Sequence, residues 1–174
     1  MRVRELDGAI AAVAAEWFGF DARDPRTDVV VGDGLHAFDG APEGAADVVA
    51  IDVDAKDASL GMCCPPAAFV DVAYLEKARR HLRPGGILVV NVVARARADY
   101  AATVANVRAA FGNVAAIRPT PDDVNAVLVA AAGAAAVDAA RGRARIADWL
   151  LAAKTPDDPN GLLDMLAKLD VAAA

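Results

Sequence analysis

The chain has 174 residues, of which 56% are hydrophobic, and it carries a formal net charge of −6 with a sequence pI of about 4.8. This length fits one domain that can bury a core. The densest run of basic residues is Arg141, Arg143 and Arg145, and a spacing of two spreads such residues around a helix. We therefore expect no nucleic-acid partner.

Cysteine and histidine usage also restricts the function. The two cysteines, Cys63 and Cys64, are adjacent, which is no disulfide framework and indicates a reducing compartment. With His36 and His81 they are too few for a zinc site. The start lacks the apolar core of a signal peptide, and the longest apolar stretch, 126–137, is too short to span a bilayer. The expectation is a soluble cytoplasmic protein with no metal and no membrane partner.

Hydrophobic periodicity predicts strands that alternate with helices along most of the chain. The predicted strands are Val3–Leu6, Asp28–Val31, Asp47–Asp52, Ile87–Val93, Val114–Ile117 and Val124–Ala130. The predicted helices are Ala9–Phe18, Phe69–Leu82, Ala98–Phe111, Ala134–Ala153 and Gly161–Leu169. Asp7 is the expected N-cap of the first helix, Gly19 and Gly112 end the first and third helices, and 83–86 forms a turn.

The order of these elements predicts the fold class. Alternating strands and helices followed by two successive strands indicate a doubly wound, mostly parallel α/β sheet with an antiparallel edge hairpin. We assign this sheet domain to residues 1–132 and a helical C-terminal extension to residues 133–174. The aromatic residues Trp17, Phe18 and Phe20 are expected in the core.

Four predicted strands end at or beside a polar residue: Glu5, Asp33, Asp52 and Asn91. Ligands of open α/β sheets bind beyond the carboxyl ends of the strands. Carboxylates there can accept hydrogen bonds from a ribose diol or an adenine amino group. The structural alternative is that each acid caps a turn or a helix, which is the commoner role for a single Asp after a strand.

The loop after the third predicted strand is the strongest local signal. Asp52, Asp54 and Asp57 place three carboxylates within six positions, and like charges at this spacing repel. A loop of this kind serves a cationic or proton-donating ligand. The alternative is a solvated loop in which Asp57 caps a turn.

Several segments together resemble a known family. They are Glu5–Asp7, Glu16–Phe20, Gly32–Leu35, Asp47–Asp52, Asp54–Phe69, Leu82–Val93 and Asp123–Leu128. These segments resemble the spermidine-synthase-like, Rossmann-like class I methyltransferases, which use S-adenosylmethionine. Within that family they are most similar to the C-terminal domain of the elongation factor 1-alpha lysine and N-terminal methyltransferases. The resemblance covers roughly residues 2–132.

The resemblance implies a role for each polar strand end. Glu5 corresponds to the acid that holds the cofactor ribose, and Asp33 with Gly34 and Leu35 corresponds to the adenine-binding position. Asp52 occupies the place beside the reacting centre, where it counts as both a cofactor-binding and a catalytic residue. Asp52 or Asp54 would orient or deprotonate the acceptor amine. The implied substrate is a protein lysine or N-terminus, and a translation elongation factor is one candidate partner.

Two other functions stay open. Spermidine synthases carry a compact Asp-Ser-x-Asp-Pro loop, whereas the loop here reads Asp-Val-Asp-Ala-Lys-Asp-Ala-Ser-Leu-Gly, which favours a protein methyltransferase over a polyamine aminopropyltransferase. The third hypothesis is a non-catalytic interaction module. In dinucleotide-type folds the ribose acid lies about 20 residues after a glycine-rich turn, and no such turn precedes Glu5 in this sequence. We therefore expect the first strand and the cofactor loop of the fold to be missing from a truncated chain.

This expectation predicts that residues 1–174 alone bind S-adenosylmethionine weakly or not at all, because the backbone that would hold the cofactor is absent. Isothermal titration calorimetry of the chain measures this directly, and tight binding would contradict it. In the genomic sequence, a frame upstream of Met1 should encode an apolar strand and a Gly-x-Gly-type turn.

Overall fold

The computed structural model describes residues 1–21, 23–55, 62, 64–94, 96–118, 124–133 and 170–173. Its strands are β1 Arg2–Glu5, β2 Asp28–Val31, β3 Ala46–Ile51, β4 Leu82–Val93, β5 Ala115–Arg118, β6 Asn125–Ala131 and β7 Asp170–Ala173. Its α-helices are α1 Gly8–Trp17, α2 Val72–His81 and α3 Arg97–Phe111, and Gly34–His36 and Ala67–Val70 form short 3-10 helices. The chain forms two compact units, Met1–Ala41 and Pro42–Ala174.

The first unit contains a two-stranded parallel sheet and one helix. β1 pairs with β2 from Arg2↔Asp28 to Glu5↔Val31, and α1 connects them in sequence. The Asp7 side chain accepts a hydrogen bond from the Ala9 backbone N–H at 2.8 Å, which confirms Asp7 as the N-cap.

Two aromatic side chains of the first unit are exposed, whereas Phe20 is half-buried. Trp17 is 73% exposed and Phe18 81%, so the expectation that they pack inside is wrong. No residue of α1 is buried, because the sheet on which it could pack has only two short strands.

The second unit contains a five-stranded sheet in the order β3-β4-β6-β5-β7. β3 and β4 are parallel, whereas β6 is antiparallel to both β4 and β5. The predicted antiparallel pair is therefore present, with β6 between β4 and β5. The described strands confirm a mixed α/β sheet that is parallel on the β3 side.

The core of the second unit lies on one face of this sheet. α2 and α3 pack against each other, α2 packs on β4, and α3 packs on β6. Leu88 and Val90 of β4 and Leu128 of β6 are fully buried on that face. Residues that alternate with them are more accessible, as Ile87 shows at 39% exposure, because side chains along a strand point to opposite faces.

Two local predictions differ from the structure. The segment Arg83–Gly86, predicted as a turn, lies inside β4. It coincides with a shift in the register between β3 and β4, which changes from Ala46↔Leu82 to Val48↔Ile87. The helix predicted from Phe69 begins at Val72, because Asp71 caps it by accepting a hydrogen bond from the Ala73 N–H. α3 ends as predicted at Gly112, whose φ of +83° suits a residue without a Cβ atom.

The C-terminal extension stays a prediction. The predicted helices Ala134–Ala153 and Gly161–Leu169 lie outside the described residues, so the boundary at residue 133 is not tested. Residues 170–173 form β7, which pairs antiparallel with β5 and was not predicted. Of the helices in the described part of the chain, none is both long and apolar enough to cross a bilayer.

The buried face of the sheet yields a stability prediction. Leu88→Ala should lower the free energy of unfolding by about 2–5 kcal/mol, because it leaves a cavity in a packed core. Ile87→Ala is the matched control on the adjacent, partly exposed position, and it should cost clearly less. Urea denaturation of both variants checks this, and equal losses would contradict the assignment of the two faces.

Candidate functional site

The first unit brings two of the predicted site residues together at one end of its sheet. Glu5 is the last residue of β1 and pairs with Val31, the last residue of β2. The Gly32 N–H donates a 2.8 Å hydrogen bond to the Glu5 carbonyl, and Asp33 follows directly. Because the strands are parallel, Glu5 and Asp33 both lie at the carboxyl end, as predicted.

The Glu5 carboxylate has a structural role. Its Oε1 accepts a 2.9 Å hydrogen bond from the Asp7 backbone N–H, just before α1 begins. Its Oε2 makes no hydrogen bond to the described part of the chain. Glu5 is half-buried, so one oxygen is held in place and the other remains available as an acceptor.

Asp33 follows the same pattern. Its Oδ1 accepts a 2.8 Å hydrogen bond from the Leu35 N–H and caps the 3-10 helix of Gly34–His36. The second oxygen, Oδ2, has no hydrogen-bond partner among the described residues. Asp33 therefore has the capping role that was expected as the alternative to ligand binding, but this role occupies only Oδ1 and does not prevent Oδ2 from contacting a ligand. Gly34 and Leu35 are half-buried at the start of this helix.

The second unit contains the predicted catalytic residues. Asp52 comes directly after Ile51, the last residue of β3, and its side chain is exposed. Its Oδ1 accepts a 2.9 Å hydrogen bond from the Asn91 side-chain amide on β4. Asp54 is exposed two residues further along, in irregular backbone. Residues 56–61 and 63 of the same loop, including Asp57, lie outside the described residues.

The contact between Asp52 and Asn91 was not predicted, although both residues were identified as strand ends. The available signal was an asparagine inside the apolar run of 87–93, where its amide needs a partner. A single sequence does not reveal which residue, 39 positions away, provides that partner.

The capping role of Asp33 can be tested separately from ligand binding. Asp33→Ala should lower the stability of the first unit by about 1 kcal/mol, because the Leu35 N–H loses its acceptor. Asp33→Asn retains an acceptor oxygen, so its loss of stability should be at most a small fraction of the loss in Asp33→Ala. Amide hydrogen exchange at Leu35 measures the difference, and equal protection in both variants would rule out the cap.

Comparisons with known proteins identify relatives of the chain, although no protein-family profile matches it. The human eEF1A lysine and N-terminal methyltransferase is 36% identical over 129 residues, which are 71% of this chain and 18% of that protein. The crystal structure of human methyltransferase-like protein 13 in complex with SAH matches with a TM-score of 0.67 and 33% identity. That match covers 74% of this chain and 59% of the other.

A probable spermidine synthase from Corynebacterium glutamicum also matches, with a TM-score of 0.63 and 28% identity, over 75% of this chain and 46% of that one. The chain spans about a fifth of the length of the curated methyltransferases that it matches. Over the matched residues, the chain is related to the eEF1A lysine and N-terminal methyltransferases, and its fold is that of the Rossmann-like class I methyltransferases.

Proposed function

We propose that the chain is part of an S-adenosylmethionine-dependent methyltransferase that acts on a protein amine, either a lysine or an N-terminus. The observation that carries the proposal is the 36% identity over 129 residues to an enzyme named for these two acceptors. The position of Asp52 supports it, since a carboxylate directly after a parallel strand lies where ligands of such sheets bind.

The described residues fit parts of the cofactor. Ribose hydroxyls and the adenine amino group are hydrogen-bond donors, and Glu5 and Asp33 each keep one carboxylate oxygen without a partner in the described chain. A charged acceptor forms stronger hydrogen bonds than a neutral one. Glu5 would hold the ribose and Asp33 the adenine, beside Gly34 and Leu35.

The chemistry requires little from the protein beyond positioning. S-adenosylmethionine supplies a methyl group on a positively charged sulfur. An acceptor amine needs a free lone pair, so an ammonium group must first lose a proton. Asp52 can accept a hydrogen bond from the amine through its Oδ2, because its Oδ1 is already bonded to Asn91. Asp54 is a second exposed carboxylate close in sequence that can attract a cationic acceptor.

The identity of the protein substrate is a separate part of the proposal. The curated relatives are named as methyltransferases of eEF1A, which makes a translation elongation factor the first candidate to test. The likeness to a spermidine synthase favours polyamine aminopropyl transfer as the second candidate function. Putrescine with decarboxylated S-adenosylmethionine separates the two, because only an aminopropyltransferase uses that pair.

The catalytic prediction concerns Asp52. The assay uses the extended chain, defined as residues 1–174 together with whatever in-frame sequence the gene encodes upstream of Met1. Asp52→Ala should lower methyl transfer to an elongation-factor substrate by about 10²-fold or more, since the amine loses its acceptor. Glu5→Gln should instead weaken cofactor binding, measured by calorimetry, and leave the KM for the acceptor unchanged.

Val48→Ala is the control, because its exposed side chain lies on β3 away from the strand end. It should leave both cofactor affinity and methyl transfer within about twofold. Full activity of Asp52→Ala would remove Asp52 from the mechanism. An extended chain that binds a protein partner but no cofactor would instead support the non-catalytic module.

A further inference from the structure

Asn91 is an exception in its strand. The run 87–93 in β4 reads Ile-Leu-Val-Val-Asn-Val-Val, and Asn91 is its one polar side chain. Asparagine is depleted in strands, and an amide that is removed from water is costly unless it is hydrogen-bonded. Asn91 is half-buried and pairs with Val127 of β6, so β6 offers no polar side chain directly opposite it.

The Asn91 side chain has one hydrogen-bond partner in the described chain. Its Nδ2 donates to Asp52 Oδ1 at 2.9 Å, across the β3–β4 pair. The ladder explains why they meet: Ile51 pairs with Val90, so Asp52 and Asn91 are the next residues along the two parallel strands. Asp52 Oδ2 has no partner within the described residues.

The sheet itself does not need this bond. β3 and β4 are already joined by a backbone ladder from Val48↔Ile87 to Ile51↔Val90. One hydrogen bond adds little net stability when its acceptor is exposed, as Asp52 is, because water can bond to the same oxygen in its place. A polar residue that breaks the pattern of an apolar strand for so little stability indicates a role in the site.

We propose that Asn91 is a positioning residue for Asp52, an inference that rests on the proposed methyltransferase function. The amide occupies Oδ1 and restricts rotation of the carboxylate, so Oδ2 is held as the acceptor that meets the substrate amine. An amide suits this position because it donates without a charge of its own, whereas a second carboxylate would repel Asp52.

The main test compares Asn91→Leu, which keeps the shape but has no donor, with wild type in the extended chain. Positioning predicts a fall in kcat of about tenfold or more, because small misplacements of a reacting group are costly. The KM for the acceptor and the affinity for S-adenosylmethionine should change less than threefold. Val89→Ala, on the same face two residues earlier, is the control and should keep kcat within about twofold.

A double-mutant cycle separates positioning from an independent role. If Asn91 acts through Asp52, the variant with both Asp52→Ala and Asn91→Leu should be no slower than Asp52→Ala alone. Additive losses would overturn the proposal. Asn91→Asp should be at least as slow as Asn91→Leu, and a fast Asn91→Asp enzyme would also count against it.

The contact between Asn91 and Asp52 can also be tested without an activity assay. The side-chain amide resonances of Asn91 are measured in the NMR spectrum of residues 1–174. Asp52→Ala should shift these resonances, while Val89→Ala should not. An unchanged Asn91 amide in Asp52→Ala would overturn the proposal whatever the kinetics. If the shift occurs but the wild-type extended chain transfers no methyl group, the proposed function fails and the positioning role fails with it.

Discussion

The pairing of parallel strands is the constraint on which the positions of the candidate site residues in each unit depend. A parallel ladder brings the carboxyl ends of neighbouring strands to the same edge, and the first polar residue after each ladder lies at that edge. This happens in both units: Glu5 ends β1 beside the turn that carries Asp33, and Asp52 follows β3 beside Asn91. A slip of one residue in either register would turn these side chains to the opposite face.

The carboxylates of Glu5, Asp33 and Asp52 have the same hydrogen-bonding pattern. In Glu5, Asp33 and Asp52, one oxygen accepts a hydrogen bond from a nearby donor of the fold, and the other has no hydrogen-bond partner among the described residues. A cap and a ligand contact are therefore compatible roles for one acid. The local bond reduces the freedom of the side chain, so less conformational entropy is lost when a ligand binds.

Much of this arrangement could be predicted from the sequence. Asp7 and Gly112 mark helix ends through chemistry that acts over a few residues, and continuous apolar runs predict strands such as β3 without a structure. The features that were missed depend on distant parts of the chain. The exposure of Trp17 follows from the small sheet of the first unit, and the pairing of β7 with β5 joins residues about 55 positions apart. The same limit applies to the Asn91–Asp52 contact, because a single sequence shows an unusual residue but not its partner.

The central claim is that the chain is part of an S-adenosylmethionine-dependent methyltransferase in which Glu5 and Asp33 hold the cofactor. A crystal structure of the extended chain with S-adenosylhomocysteine tests this most directly. The account predicts that the Glu5 carboxylate accepts hydrogen bonds from the ribose hydroxyls and that Asp33 accepts one from the adenine amino group. A cofactor bound elsewhere, or a Glu5 carboxylate that does not contact the ribose, would contradict it.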